Sequence, residues 1–368
     1  MAPASGPPIE SVRVAAYTVP TDQPESDGTM AWEATTLVVV EVEAGGMGGL
    51  GYTYADTATA TLVRDKLASI VTGRDAMATA AAWDAMVGAI RNLGRPGIAS
   101  MAISAVDTAL WDLKARLLGV PLVVALDAHH DTVPIYGSGG FTSYSLDTLA
   151  DQLRGWVEAG IPRVKMKVGR HPGQDGDRLQ AALDAIGPGT ELFVDANGAL
   201  TRKQALAWAE RYGEAGVSWF EEPVSSDDLE GLRLLRDRAP AGLDIAAGEY
   251  GYDAWYFARM LAAGAVDCLQ ADVTRCGGYT GFRQAAALCD AHGVDISAHC
   301  APQISAHACA AAWHLRHLEY FHDHVRIEHM LFDGVLEPEK GGVLRPDRSR
   351  PGHGLSFRHA DAERFVVR

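Results

Sequence analysis

β-branched and apolar residues cluster in two runs near the start of the chain, Ser11–Val19 and Thr36–Glu43, a composition that predicts strands. The segment between them, Thr21–Thr29, carries Asp22, Glu25 and Asp27 and predicts a polar loop, so the chain opens as antiparallel β structure. From Thr57 to Leu118 the apolar positions recur every three or four residues, which predicts helices, the last containing Ala105–Leu113. The first third therefore reads as an α+β domain.

From Val133 onward short β-rich runs alternate with amphipathic helical segments. The runs start at Val133, Arg163, Glu191, Val217, Asp244, Val266, Val294 and His324, the last being His324–Met330. Eight strands with a helix-sized connection after most of them fit a parallel TIM-type barrel better than an open doubly wound sheet. The expected organisation is a capping domain over residues 1–132, a barrel over 133–344, and a tail, 345–368, that returns to complete the cap.

Composition narrows the function without changing the fold. The chain has 368 residues, 48% hydrophobic and 21% charged, ordinary values for a folded globular protein. Its net charge of −15 disfavours nucleic acid and anionic membrane as partners. No window reaches the length of a membrane span, and Met1–Pro8 has neither the basic nor the apolar region of a leader, so a cytoplasmic protein is expected. The five cysteines, Cys268, Cys276, Cys289, Cys300 and Cys309, form no C-x-x-C pair and predict reduced thiols. A small anionic substrate remains compatible with that charge, because a buried metal or lysine pair acts locally against the overall field, and a homo-oligomer is expected.

The chemistry lies at the predicted strand ends. Asp195, Glu221 and Glu249 close three successive barrel strands, and the C-terminal ends of such strands converge on one mouth. Three carboxylates at one point repel one another unless a hard divalent cation joins them; an all-oxygen donor set suits Mg²⁺ or Mn²⁺. Glu222 follows Glu221 and should point elsewhere. Lys165 and Lys167 sit two apart, hence on one strand face, where like-charge repulsion would lower one pKa and free that lysine as a base. The K-x-K pattern alone fits surface lysines equally well. Asp272 and His299 end the next two strands beyond the acidic trio, so a carboxylate would orient an imidazole across the mouth. Glu328, read as the end of the eighth strand, would bond a substrate carboxylate if protonated, or serve as a structural acid.

Weaker signals receive plain readings. Gly46–Gly51 fits G-x-G-x-x-G, but β sequence follows it, so it predicts a hairpin turn and no dinucleotide site. His314, His317, His322 and His324 read as packing or solvated histidines and not as a second metal site, and His129–Asp131 as loop.

Taken together, the K-x-K at Lys165/Lys167, the acids in VDAN, FEEP and GEY, the D-x-x-x-x-G-G from Asp272, the His in SAHC and the Glu in IEH resemble the mandelate racemase subgroup of the enolase superfamily. The helix A-x-D-x-A-L-W-D-L at Ala105–Leu113 strengthens that resemblance. It implies a (β/α)7β barrel under an α+β cap, Mg²⁺ on Asp195, Glu221 and Glu249, and proton abstraction beside a carboxylate through an enediolate. It further implies Lys167 as one base, Lys165 as its neighbour and carboxylate contact, and His299 with Asp272 as the opposite acid/base. His329 stands where a proline is expected, and Cys300 follows His299. Specificity in this family rests on capping loops, here Thr21–Trp32 and Tyr52–Thr57, which makes Trp32 and Tyr54, with Asn197, the expected substrate contacts. The expected reaction is dehydration of an acid sugar to a 2-keto-3-deoxy acid, with a two-base racemase or epimerase as the alternative and a non-catalytic binding barrel more remote. An amidohydrolase barrel would want H-x-H on the first strand, where Val133–Ser138 reads VPIYGS.

Overall fold

The computed structural model describes residues 6–367; Met1–Ser5 and Arg368, which the expected cap and tail include, lie outside the described residues. Three antiparallel strands, β1 (Ser11–Ser26), β2 (Ala31–Ala44) and β3 (Met47–Tyr54), form the opening sheet. The expected polar loop is shorter than its sequence suggests. Thr21–Ser26 continues β1 through an irregularity between Pro20 and Glu25, and the turn is confined to Asp27–Met30. The second hairpin turns at Gly45–Gly46, both at positive φ (57° and 74°), so the turn expected over Gly46–Gly51 lies at the start of that segment and Met47–Gly51 is already strand. Gly49 and Gly51 instead let β3 lie against the long helix Ile98–Leu118: a Cβ on Gly51 would sit 2.3 Å from Thr108 Oγ1 and 2.4 Å from Ala105 O. A cap core of Val40, Val42, Leu67, Met86, Val106 and Leu110 fills the space between sheet and helices.

The barrel strands are β4 (Val133–Gly139), β5 (Arg163–Lys167), β6 (Glu191–Asp195), β7 (Trp219–Glu221), β8 (Asp244–Ala247), β9 (Cys268–Ala271), β10 (Asp295–Ala298) and β11 (Leu315–Phe321). Neighbours pair in parallel, and β11 pairs back onto β4 with Leu318 opposite Ile135, closing the sheet. Helix starts between them carry side-chain caps, such as Ser145, Asp228, Asp253 and the reciprocal Thr201/Gln204 pair. Tyr136, Phe193, Trp219, Ala246 and Cys268 pack inside the barrel.

The eighth strand corrects the sequence reading. His324–Met330 is not a strand; it lies in the helix His322–Leu331, whose buried residues include His324, Ile327, Glu328 and Leu331. That is one helical face, which the Val325-x-Ile327 alternation disguised. Beyond the barrel, the tail returns to the cap: His353 Nε2 donates to Leu50 O (2.8 Å), and Val367 N donates to Ala16 O (2.8 Å). All five cysteines are buried and free. No helix among the described residues is long and apolar enough to cross a membrane.

Candidate active site

Strand register assembles the site. Lys167 on β5 lies opposite Asp195 on β6, which lies opposite Glu221 on β7, so one tier of the barrel brings these side chains together. Glu249 follows β8 by two residues, after Gly248 at φ 136°, where a Cβ would meet Gln270 O at 2.2 Å. Asp195, Glu221 and Glu249 are all buried and each offers an oxygen within 4.8 Å of the others, a donor set that fits a hard divalent cation. Glu222 contributes nothing to that trio; it is buried with φ 38°, and its Oε1 has no partner.

Both lysines of β5 are buried. Lys165 Nζ contacts Glu221, Glu319 (2.8 Å) and Asp195 (3.3 Å), and Lys167 Nζ contacts Asp195. The expected lowering of one lysine pKa is not what this arrangement produces. Burial does push both down, but Glu221 and Glu319 around Lys165, and Asp195 beside Lys167, outweigh it, and both rise above the ordinary lysine range. Like-charge repulsion loses to opposite charges at contact distance. Cancelling the carboxylate field with a cation would remove what holds the lysines charged.

Opposite them, Asp272 follows β9 and His299 follows β10. Asp272 Oδ2 faces His299 Nδ1 at 2.6 Å, while Asp272 Oδ1 accepts from Thr274 N and Oγ1. With Nδ1–H donating to Asp272, His299 turns Nε2 toward Glu249 (3.0 Å) and the Cys300 sulfur (3.2 Å). Burial disfavours the imidazolium, yet Cys300, Glu249 and Glu319 together raise the His299 pKa well above the ordinary value.

A cavity of about 400 Å³ joins these groups: Lys167, Glu249 and His299 line it together with Asn197, Trp32 and Tyr54, three of the five expected substrate contacts, whereas Lys165 and Glu328 are fully buried and do not line it. Asn197, at φ 46°, has a buried Oδ1 without a partner. The first hairpin tip roofs the mouth. Arg170 donates to Met30 O (2.9 Å), Thr142 Oγ1 donates to Asp27 O (2.9 Å), and a Cβ on Gly28 would lie 2.1 Å from Ala196 O.

Glu328 stands elsewhere. It sits in the helix after β11 and accepts from the Tyr52 hydroxyl (2.6 Å), and burial raises its carboxyl to about 8. The acid that belongs to the eighth strand is Glu319, which sequence reading missed. It accepts from Ser138 Oγ (2.6 Å), and Lys165 and His299 hold its carboxyl below the usual range despite burial. Its signal was present: a single acid inside the apolar run Leu318–Phe321. Arg275, 3.5 Å from both Glu249 and Asp272, was missed as well. The histidine cluster disperses: His314 meets Asp290, His317 meets Ser297, and His324 stacks on Tyr54 with ring centroids 3.5 Å apart.

Two family models match the chain: the mandelate racemase/muconate lactonizing enzyme N-terminal domain over residues 10–126, and the enolase C-terminal domain-like model over residues 148–362. The chain belongs to the enolase superfamily, in its mandelate racemase subgroup. Among solved members of the subgroup, it is similar to a mandelate racemase/muconate lactonizing enzyme-like protein of Rubrobacter xylanophilus, 58% identical with TM-score 0.96, covering 98% of this chain and 100% of that one. L-talarate/galactarate dehydratase of Salmonella typhimurium, solved with Mg and L-lyxarohydroxamate, is 28% identical with TM-score 0.90, over 99% of this chain and 94% of that one. The 3,6-anhydro-alpha-L-galactonate cycloisomerase of Streptomyces coelicolor is 34% identical over 94% of this chain and 96% of its own length. This mandelate racemase-subgroup member is thus an enzyme whose relatives act on acid sugars.

Proposed function

We propose that this enzyme eliminates the β-oxygen of an acid sugar after removing its α-proton, and that with a free β-hydroxyl the product is a 2-keto-3-deoxy acid. The observation that carries this reading is that Lys167, His299 and Glu249 line one cavity, with Asp272 bonded behind His299 and Asp195 and Glu221 grouped with Glu249. Asp195, Glu221 and Glu249 would hold Mg²⁺, which supplies positive charge where negative charge develops on the substrate carboxylate. Lys167, uncharged, takes the α-proton, with Lys165 beside it against the substrate carboxylate. The C–H electron pair becomes the new C=C bond, and the β C–O bond breaks. His299, charged and held by Asp272, gives its proton to the departing oxygen, and the resulting enol becomes the keto acid. Asn197, Trp32 and Tyr54 position the substrate, and the hairpin over the mouth excludes water.

Similarity to the cycloisomerase supports a second reading, in which the β-oxygen belongs to a ring and the same two proton transfers open it without loss of water. The product mass separates the two: lighter than substrate by one water, or isomeric with it. A racemase would use both groups in a third way, each as acid and base on its own face.

The test is a screen of aldonic, aldaric and anhydro-aldonic acids in D₂O, following keto-acid formation, product mass and α-proton exchange. His299→Asn is expected to form no keto acid yet still exchange the α-proton, whereas Lys167→Ala loses both. Inversion of the α-centre by the wild type with no keto acid formed would overturn elimination.

A further inference from the structure

A second cluster of metal-ligating side chains lies away from the catalytic trio, where the capping hairpin meets the barrel. Asp22 and Glu25 stand on the irregular outer stretch of β1, and His322 is the first residue of the helix that follows β11. Asp22 Oδ2 and His322 Nε2 are 3.0 Å apart, and Asp22, Glu25 and His322 each offer one ligand atom within 4.8 Å of the others. Glu25 supplies the independent sign of a missing partner. Its side chain is 1% exposed, its Oε2 accepts from Trp32 Nε1 (2.8 Å), and its buried Oε1 has no partner at all. An orphaned buried carboxylate oxygen is costly unless protonated or coordinated. Asp323 and Arg326, on the same helix as His322, pair with each other, and Thr35 also donates to Asp323.

We propose that Asp22, Glu25 and His322 form a second divalent metal site, of the Zn²⁺ class, that clamps the capping hairpin to the barrel. Two carboxylates and one imidazole select a borderline cation, unlike the all-oxygen catalytic trio, which suits Mg²⁺. Asp22 and His322 are 41% and 25% exposed in their side chains, so a cation enters from solvent and completes its shell with water, while Glu25 receives it from the buried side. Because Glu25 also holds Trp32, which lines the catalytic cavity, the clamp acts on the wall that meets substrate.

The test uses the full chain carrying Asp195→Asn and Glu249→Gln, so that Zn²⁺ cannot collect at the catalytic trio. After chelation and dialysis against micromolar Zn²⁺ with millimolar Mg²⁺, elemental analysis is expected to find a single Zn²⁺ per chain. That equivalent is lost when Asp22→Asn or His322→Ala is added, and Zn²⁺ slows hydrogen exchange of residues 21–30 only while both side chains remain. Absence of Zn²⁺ uptake, or uptake unchanged by the two substitutions, would overturn the site. Should His322→Ala unfold the chain, the exposed and nearly isosteric Asp22→Asn decides.

Discussion

Glu328 shows how one residue's environment decides what its charge can do. Its carboxyl is buried, bonded to Tyr52 through one oxygen, and raised to about 8 by desolvation, against 4.5 for a free glutamate. Below pH 4.5 both folded and unfolded chains carry the proton. Between 4.5 and 8 the unfolded chain has released it and the folded chain has not, so stability falls as pH rises and levels off above 8. Gln at this position has no proton to lose and still accepts from Tyr52. Glu328→Gln is therefore expected to match the wild type near pH 4.5 and to exceed it by about 3 kcal/mol at pH 7, read from denaturant unfolding across that range. An unchanged gap between the two pH values would show Glu328 to be ionised. The lysines carry a parallel lesson: K-x-K was visible, but their protonation follows from Asp195, Glu221 and Glu319, which only the fold brings within reach.

At the scale of elements, the first hairpin is the piece whose length the sequence understated. Polar residues through Thr21–Thr29 suggested a loop, yet β1 pairs onward to Ser26 and the tip rests on the barrel mouth. Gly28 permits that seating, because a side chain there would collide with Ala196 O, a backbone atom that cannot swing aside. Gly28→Ala should lift the tip while leaving both hydrophobic cores intact. We expect kcat/KM to fall about tenfold or more, equivalent to ~1.4 kcal/mol, with the melting temperature nearly unchanged. Steady-state kinetics beside a thermal melt distinguish this from unfolding; a lowered melt with normal kinetics would contradict it.

Across the whole molecule, buried charge couples ligand binding to stability. Asp112 ties three parts of the chain together, accepting from Leu50 N on β3, Arg116 in its own helix and His353 N in the tail. The candidate metal trio of Asp195, Glu221 and Glu249 gathers three barrel strands in the same way, with a donor set that fits a cation. Adding Mg²⁺ to the chelated protein at about 100 times its dissociation constant should stabilise the fold by ~2.7 kcal/mol and raise the calorimetric midpoint by several degrees. The same titration on Asp195→Asn/Glu249→Gln should produce no shift; an equal shift there would place the cation elsewhere.

Much of this was legible because it is local. Asp195, Glu221, Glu249, Asp272 and His299 each stand at or just past the end of a strand that its own residues announce, and parallel register then carries them to one mouth. The barrel class and the candidate metal trio thus follow from the order of residues alone. What the chain could not reveal by itself depends on contacts between distant segments. Leu315–Phe321 and His324–Met330 are both short apolar runs, and only closure against β4 selects the former as the eighth strand, with Glu319 in place of Glu328. The union of Asp22 and Glu25 with His322, some three hundred positions away, is a product of the same closure.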